Sequence, residues 1–235
     1  MQVSFAEYFS DLFELFYPDV CLSCSEKLLK GEQVICFKCL NELPKTDHWN
    51  DIENPMARRF WGRVALQGAG ALFQFQKGEH VQHLLHQLKY RNRQDVGEYL
   101  GKMLGLMLLQ PDPVIKNVDL IVPVPLHWKK QRKRGYNQCD PIAKGISETI
   151  NIPWSDSALE RALENISQTK KNRFDRWANV AEIFAVKDSA QLRGKHILLV
   201  DDVMTTGATA EACLQTILSV ENTKASFVSI AVALR

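Results

Sequence analysis

One run of residues, His196–Thr209, constrains this chain more than any other. Four apolar residues lead to two adjacent carboxylates, Asp201 and Asp202, and a Thr-Thr-Gly-Ala-Thr turn follows them. The apolar part is typical of a buried parallel strand that delivers the two acids to its carboxyl end. The turn leads into a helical pattern over Thr209–Val220, and the free N–H groups and dipole at a helix N-terminus favour an anion.

The chemistry of this run suits a phosphorylated sugar. Carboxylates accept hydrogen bonds from two neighbouring sugar hydroxyls, and threonine hydroxyls with bare amides suit a phosphate, so a ribose 5-phosphate fits both halves. The run closely resembles the motif that binds phosphoribosyl diphosphate (PRPP) in type I phosphoribosyltransferases. A Mg²⁺ site of another fold and plain surface charge are the alternatives, but two acids followed by this turn are a much rarer pattern than two acids alone.

The rest of the chain alternates strand and helix patterns. The predicted strands lie at Val64–Leu66, Ala69–Phe75, Val118–Val124, near Trp154–Leu159, at Ala181–Val186, Ile197–Val200 and Ala225–Leu234. The predicted helices run from Val81 to near Lys89–Arg91, and over Val96–Leu109, Gln138–Ile150 and Thr209–Val220. This order predicts an α/β fold with a mainly parallel sheet flanked by helices. We expect it to occupy residues 61–235, after a polar linker over residues 46–60 and an N-terminal part over residues 1–45.

Composition is that of a globular protein. The chain of 235 residues is 46% hydrophobic and 24% charged, and its net charge of +2 does not by itself call for nucleic acid. No apolar stretch reaches the roughly 18 residues that a transmembrane helix needs. The segment Met1–Tyr17 is apolar at helical spacing but carries three acids and no basic start. It predicts a short packing helix rather than a secretion signal, so we expect a cytoplasmic protein.

Four of the six cysteines form two closely spaced pairs near the N-terminus. Cys21 and Cys24 form one Cys-x-x-Cys pair, and Cys36 and Cys39 form a second pair after eleven intervening residues. Four sulfurs at about 2.3 Å suit a tetrahedral Zn²⁺ whose closed shell leaves no position for substrate. Two disulfides or redox dithiols are the alternative, which would suit a secreted chain. The spacing predicts a structural zinc in a module too short to bury much core without metal.

Basic residues crowd the stretch after the predicted strand at Val118–Val124. Five lysines and arginines, including Lys129, Arg132 and Arg134, lie within six positions of what we predict to be a loop. Such crowding costs energy unless an anion or an acidic partner shares the charges. A solvated loop, a diphosphate site beside the first motif and an interface with a nucleic-acid backbone are all open interpretations.

Together these runs resemble the ComF (GntX-like) family of bacterial competence proteins. The resemblance rests on the four-cysteine module, on Leu88-Lys89-Tyr90, on Pro123-Val-Pro-Leu-His127 with Arg134-Gly-Tyr-Asn-Gln138, and on the acid-threonine motif. It implies a type I phosphoribosyltransferase-like domain with an N-terminal zinc module and a role in DNA uptake, or natural competence. It also implies a mobile lid between the basic loop and the motif, with Gln168, Arg176 and Asn179 at the family's positions. Closure of such a lid would exclude water from the reacting sugar.

The resemblance further implies roles for the site residues. Asp201 and Asp202 would hold the ribose hydroxyls, directly or through water on Mg²⁺, and the basic residues would neutralise a leaving diphosphate. The residues that would cradle the 5-phosphate are Thr205, Thr206, Gly207, Ala208 and Thr209.

Two functions from different classes remain open. One is a phosphoribosyltransferase with an unidentified nitrogenous acceptor. The other is a non-catalytic competence factor that binds single-stranded DNA or proteins of the competence machinery, with Trp128 and Tyr136 stacking on bases. A PRPP sensor is a third hypothesis. The acid pair favours a sugar ligand, because two carboxylates would repel a phosphodiester backbone.

Overall fold

The computed structural model describes residues 19–76, 80–161 and 183–233. The strands in this part are β1 (Ala69–Gln74), β2 (Leu120–Pro123), β3 (Leu159–Arg161), β4 (Phe184–Val186), β5 (His196–Met204) and β6 (Lys224–Val232). The α-helices are α1 (Phe37–Glu42), α2 (Pro55–Arg58), α3 (His80–Tyr90), α4 (Gln94–Leu108), α5 (Trp128–Arg134), α6 (Cys139–Ile150) and α7 (Ala208–Leu218). Short 3₁₀ turns lie at His48–Asn50 and Ser189–Gln191.

A four-stranded parallel sheet forms the centre of the protein. Its strand order is β1-β6-β5-β2, and each neighbouring pair runs parallel. The central strands β5 and β6 are mostly apolar and almost entirely buried, as expected of a parallel sheet that helices cover on both sides. The predicted fold class, a mainly parallel sheet flanked by helices, is confirmed.

The two faces of the sheet have separate cores. Helices α3, α4 and α6 pack on one face against β-strand residues such as Leu198 and Val200. Helix α7 and the segment around α2 cover the other face, where Leu199 and Phe227 are buried. This arrangement follows from strand geometry, because successive side chains of a strand point to opposite faces.

Close packing of two helices positions the site. A Cβ on Gly101 of α4 would lie 2.2 Å from the carbonyl oxygen of Ile142 in α6. A Cβ on Gly145 of α6 would lie 2.2 Å from the carbonyl oxygen of Glu98 in α4. Only glycine allows this approach. The packing fixes where α6 begins, and α6 begins beside the acid pair of β5.

Three predictions about local structure are wrong. Val64–Leu66 forms no strand, because pairing with β6 begins only at Ala69, opposite Phe227. The expected strand near Trp154–Leu159 is a single bridge from Trp154 to Ile121, followed by the short strand β3, which pairs antiparallel with β4 outside the main sheet.

The third error concerns the basic run, which is helix rather than loop. Helix α5 spans Trp128–Arg134, and the His127 ring at its N-cap accepts a hydrogen bond from the Lys129 N–H at 3.2 Å. Gly135 ends the helix in the left-handed conformation, with φ of 85°. Lysine and arginine are good helix formers, and local caps at both ends complete the helix despite its charge density.

Some predictions lie outside the described residues. These are the N-terminal helix at Met1–Tyr17 and the lid residues Gln168, Arg176 and Asn179.

The predicted domain boundaries stay a prediction, although part of the expected linker packs on the sheet. The Thr46 N–H donates to the Leu72 carbonyl, and Asn54 Nδ2 donates to the Ala69 carbonyl. Within the described ranges, no helix is both long enough and apolar enough to cross a membrane.

Candidate functional site

The two acids lie within strand β5, not after its end. The strand continues to Met204, so strand alternation directs Asp201 and Asp202 toward opposite faces. The Asp201 Oδ1 atom accepts from the Asp202 N–H at 2.8 Å and from the Cys139 thiol at 3.6 Å. The Asp202 Oδ2 atom lies 2.9 Å from the Lys89 Nζ atom. Asp201 therefore contacts the first residue of α6, and Asp202 contacts the last turn of α3.

The environment of Asp201 opposes its ionisation. Burial raises the pKa of this carboxyl, the negative charge of Asp202 raises it further, and together they bring it to about 7. The Asp202 N–H, the Lys89 ammonium and the Cys139 thiol act in the opposite direction. The two carboxylates concentrate negative charge at this end of β5, and their oxygens suit a hard cation such as Mg²⁺ or the hydroxyls of a sugar.

The turn after β5 has the geometry that an anion site needs. Gly207 has a φ of 85° and begins helix α7, whose first N–H groups have no partner within the helix. Thr205, Thr206 and Thr209 are exposed, and Gly207 itself is buried. The Thr206 hydroxyl accepts from the Ala208 N–H at 3.4 Å. Exposed hydroxyls and free amides are thus gathered within a few residues of the acid pair.

Arg59 contacts this turn and was missed by the sequence reasoning. Its Nη1 atom donates to the Thr205 carbonyl at 2.5 Å and its Nη2 atom to the Ala233 carbonyl at 3.2 Å. A few residues on, Arg63 pairs with Glu211 in the first turn of α7 at 2.7 Å. Arg59 lies in the segment that we interpreted as a linker, far from Thr205 along the chain, so no local pattern announced the interaction.

The basic helix α5 leaves the same edge of the sheet as the acid pair. Strand β2 pairs with β5, and the last residue of β2, Pro123, is opposite Val200, one position before Asp201. Lys129 and Arg132 are exposed, and the Lys129 ammonium lies 5.5 Å from the centroid of the exposed Trp128 ring. These groups are free to meet an anion in solution.

Arg134, the third predicted residue of this group, is engaged within the fold. Its Nη1 atom donates to Gln138 Oε1 at 2.6 Å, and its guanidinium lies 5.3 Å from the centroid of the Tyr90 ring. The Tyr136 hydroxyl donates to the carbonyl of Leu88, so the half-buried Tyr136 side chain is held against α3. The Arg134–Gln138 segment therefore braces the last turn of α3.

The four cysteines of the N-terminal module come together as the spacing predicts. The sulfur atoms of Cys21, Cys24, Cys36 and Cys39 all lie within 4.8 Å of one another, and those of Cys24 and Cys36 are 3.8 Å apart. A tetrahedral Zn²⁺ with Zn–S bonds of about 2.3 Å needs sulfurs about 3.8 Å apart, so the donors fit this metal. The cysteines are free thiols, and the cluster is compatible with structural zinc.

Backbone amides of the module favour a thiolate at Cys21. Burial raises the pKa of this thiol, but N–H groups that include those of Cys36 and Ser23 outweigh burial and lower it to about 7. These two amides lie 3.3 and 3.4 Å from the sulfur. In contrast, burial and the neighbouring thiols raise the pKa of Cys39 to about 12. A cation is needed to hold four thiolates together here.

Comparison with known proteins identifies the family. No protein-family model matches the chain. Competence protein ComFC of Bacillus subtilis (strain 168) is 33% identical to it over 219 residues, which are 92% of this chain and 84% of that protein. The chain belongs to the ComF family. DNA utilization protein YhgH of Escherichia coli (strain K12) is 31% identical to this ComF-family chain over 137 residues, 57% of the chain and 60% of YhgH. The match thus spans less than two-thirds of YhgH.

One further relative and two solved structures are similar to this ComF-family chain. Competence protein F of Haemophilus influenzae is 29% identical over 134 residues, which are 56% of the chain and 58% of that protein. Among solved structures, the glutamine PRPP amidotransferase of B. subtilis with ADP and GMP matches with a TM-score of 0.44 at 18% identity, over 62% of this chain and 30% of that one. Adenine phosphoribosyltransferase of Trypanosoma brucei matches with a TM-score of 0.39 at 11% identity, over 77% and 81% of the two chains.

Proposed function

We propose that this protein binds PRPP or a related ribose 5-phosphate together with Mg²⁺ and serves in competence or DNA utilization. One observation carries the proposal: a half-buried and a buried carboxylate lie near the end of a central strand, and a turn with two exposed threonines at a helix N-terminus begins where that strand ends. The competence and DNA-utilization names of its relatives support the biological role.

The residues divide the ligand between them. Asp201 and Asp202 accept the ribose hydroxyls, directly or through water on Mg²⁺, which retains several waters when it binds carboxylates. The 5-phosphate is held by hydroxyls and N–H groups of the Thr205–Thr209 turn. Arg59 adds positive charge behind this turn and keeps the Thr205 carbonyl away from the phosphate, because it draws that carbonyl into its own hydrogen bond.

The basic helix suits the diphosphate end of the ligand. In a transfer reaction, the bond from the anomeric carbon to diphosphate breaks as a nitrogen nucleophile forms its bond there, and the leaving diphosphate keeps the electron pair. Lys129 and Arg132 would stabilise that charge, which is worth most where water is excluded. We assign no acceptor, so the proposal is a phosphoribosyltransferase-type site with an open acceptor position.

Calorimetric titration tests this function. The zinc-loaded protein is titrated with PRPP and Mg²⁺, and Asp201→Asn with Asp202→Asn should remove binding while the protein remains folded by circular dichroism. A variant with Glu42→Gln and Glu221→Gln, two exposed acids outside the acid pair, removes the same charge and should bind as the wild type does. Equal affinity in the wild type and the Asp201/Asp202 variant would refute the site.

Single-stranded DNA is a second candidate ligand, favoured by the exposed cations and Trp128 on helix α5. Replacement of Lys129 and Arg132 by alanine should then weaken binding of an oligonucleotide. It should also reduce the slope of log affinity against log salt by about 0.7 for each phosphate that the protein no longer neutralises. Lys102 on α4 and Lys144 on α6 are also exposed, and their replacement by alanine provides a control of equal charge. A slope that changes equally in both double variants would remove α5 from the interface.

A further inference from the structure

Lys89 already supplies a positive charge to the acid pair. Its Nζ atom lies 2.9 Å from Asp202 Oδ2, and the side chains of Lys89 and Asp202 are 23% and 8% exposed. Among the ion pairs of the described residues, no other has both partners so well covered. The ion pair connects helix α3 with the strand that carries the proposed ligand site.

The fold places this ammonium independently of Asp202. Lys89 is in the last turn of α3, where the helix dipole favours a cation. Its neighbours hold that turn on both sides: the Leu88 carbonyl accepts from the Tyr136 hydroxyl, and the Tyr90 ring lies under the Arg134 guanidinium. Leu88 itself is fully buried. Lys89 therefore remains beside Asp202 because its backbone is fixed, and not only because the two charges attract.

An ammonium in this position conflicts with a divalent cation at the same carboxylate. Both need the Asp202 oxygens, and their like charges repel each other at short range in a half-buried site. A free divalent cation must displace Lys89 to reach Asp202. A cation that arrives with a phosphorylated ligand brings negative charge that offsets this repulsion.

We propose that Lys89 is the resident counter-ion of the acid pair, which neutralises Asp202 and excludes free divalent cations until they enter together with the phosphorylated sugar. This inference rests on the proposed function and assigns Lys89 as a positioning residue that sets the cation selectivity of the site. If Lys89 only supported the fold, its replacement would lower the stability of the protein or its affinity for the cation. If Lys89 competes with the cation, its replacement increases the affinity of the protein for the bare cation.

Titration with Mn²⁺ alone, followed by the electron paramagnetic resonance signal of the free ion, tests the assignment on the zinc-loaded protein without PRPP. Lys89→Met should bind Mn²⁺ roughly tenfold more tightly than the wild type. Adding Asp202→Asn to this variant should abolish the gain. Lys144→Met is the matched control: it frees the carboxylate of Glu98, which lies 2.6 Å from Lys144 Nζ, and should leave Mn²⁺ affinity unchanged.

Unchanged Mn²⁺ affinity in a folded Lys89→Met variant would overturn the proposal, as would a gain that survives Asp202→Asn. If Lys89→Met does not fold, Lys89→Gln keeps a polar side chain without the charge, and the same gain is expected of it. A separate PRPP titration distinguishes the two claims. Failure of the wild type to bind PRPP refutes the proposed function, whereas the Mn²⁺ result judges Lys89 by itself.

Discussion

Replacement of Asp201 by asparagine should make the protein more stable at alkaline pH. The pKa of Asp201 is raised from 3.8 to about 7, first by burial and then by the charge of Asp202. Between these two values the folded protein keeps a proton that the unfolded chain has released, so the free energy of unfolding falls as pH rises through this window. Asparagine has the same shape, can accept the same two hydrogen bonds at Oδ1 and carries no charge, so it removes this loss.

The expected size of the effect follows from the pKa. Each unit of pKa difference corresponds to about 1.4 kcal/mol, so the two units between pH 5 and the folded pKa set a limit of about 3 kcal/mol. The side chain is half-buried, and solvent screens part of this energy. We therefore expect the stability advantage of Asp201→Asn over the wild type to grow by about 1–2 kcal/mol from pH 5 to pH 8.5.

Urea unfolding at several pH values, without added Mg²⁺, measures this advantage. Zinc binding also depends on pH, but the cysteine module is the same in both proteins, and its contribution cancels in the difference between them. Glu221→Gln, a change at an exposed acid, is the control and should follow the wild type. Parallel curves for Asp201→Asn and the wild type across the whole range would refute the argument that the acid pair stores unfavourable charge.

Three other perturbations have defined outcomes. Cys36→Ser should lose zinc and destabilise the module, since it removes one of four donors; full metal content by mass spectrometry would contradict the cluster. Arg59→Gln should weaken PRPP binding about tenfold, and calorimetry with unchanged affinity would exclude Arg59 from the phosphate turn. Gly101→Ala should cost about 2–3 kcal/mol in urea unfolding, because its Cβ meets backbone. Unchanged stability of the Gly101→Ala variant would contradict this packing.

The local parts of the site could be predicted from the sequence because they are encoded by near neighbours. The apolar run before Asp201 specifies a buried strand, and Gly207 permits the left-handed turn into α7. The spacing of the cysteine pairs likewise determines that four sulfurs can meet. In each case the interacting residues are close in the chain, or their geometry follows from a short turn.

The sequence around helix α5 contains the local signals of a helix, but we predicted a loop. The charge density of Trp128–Arg134 suggested a solvated loop, whereas His127 and Gly135 supply both helix caps. Charges on an exposed helix point outward into water, so they do not prevent it from forming.

The tertiary structure alone decided which distant groups complete the site. The strand order β1-β6-β5-β2 places β2 beside β5, and no periodicity in the sequence specifies that order. Lys89 reaches Asp202, Arg59 reaches Thr205 and Cys139 reaches Asp201 only because helices pack on both faces of the sheet. Such interactions depend on the summed packing of the whole core rather than on any local pattern. The sequence by itself thus determined the strand, the turn and the metal-binding pattern, and the packing of the core determined the charge that surrounds the acid pair.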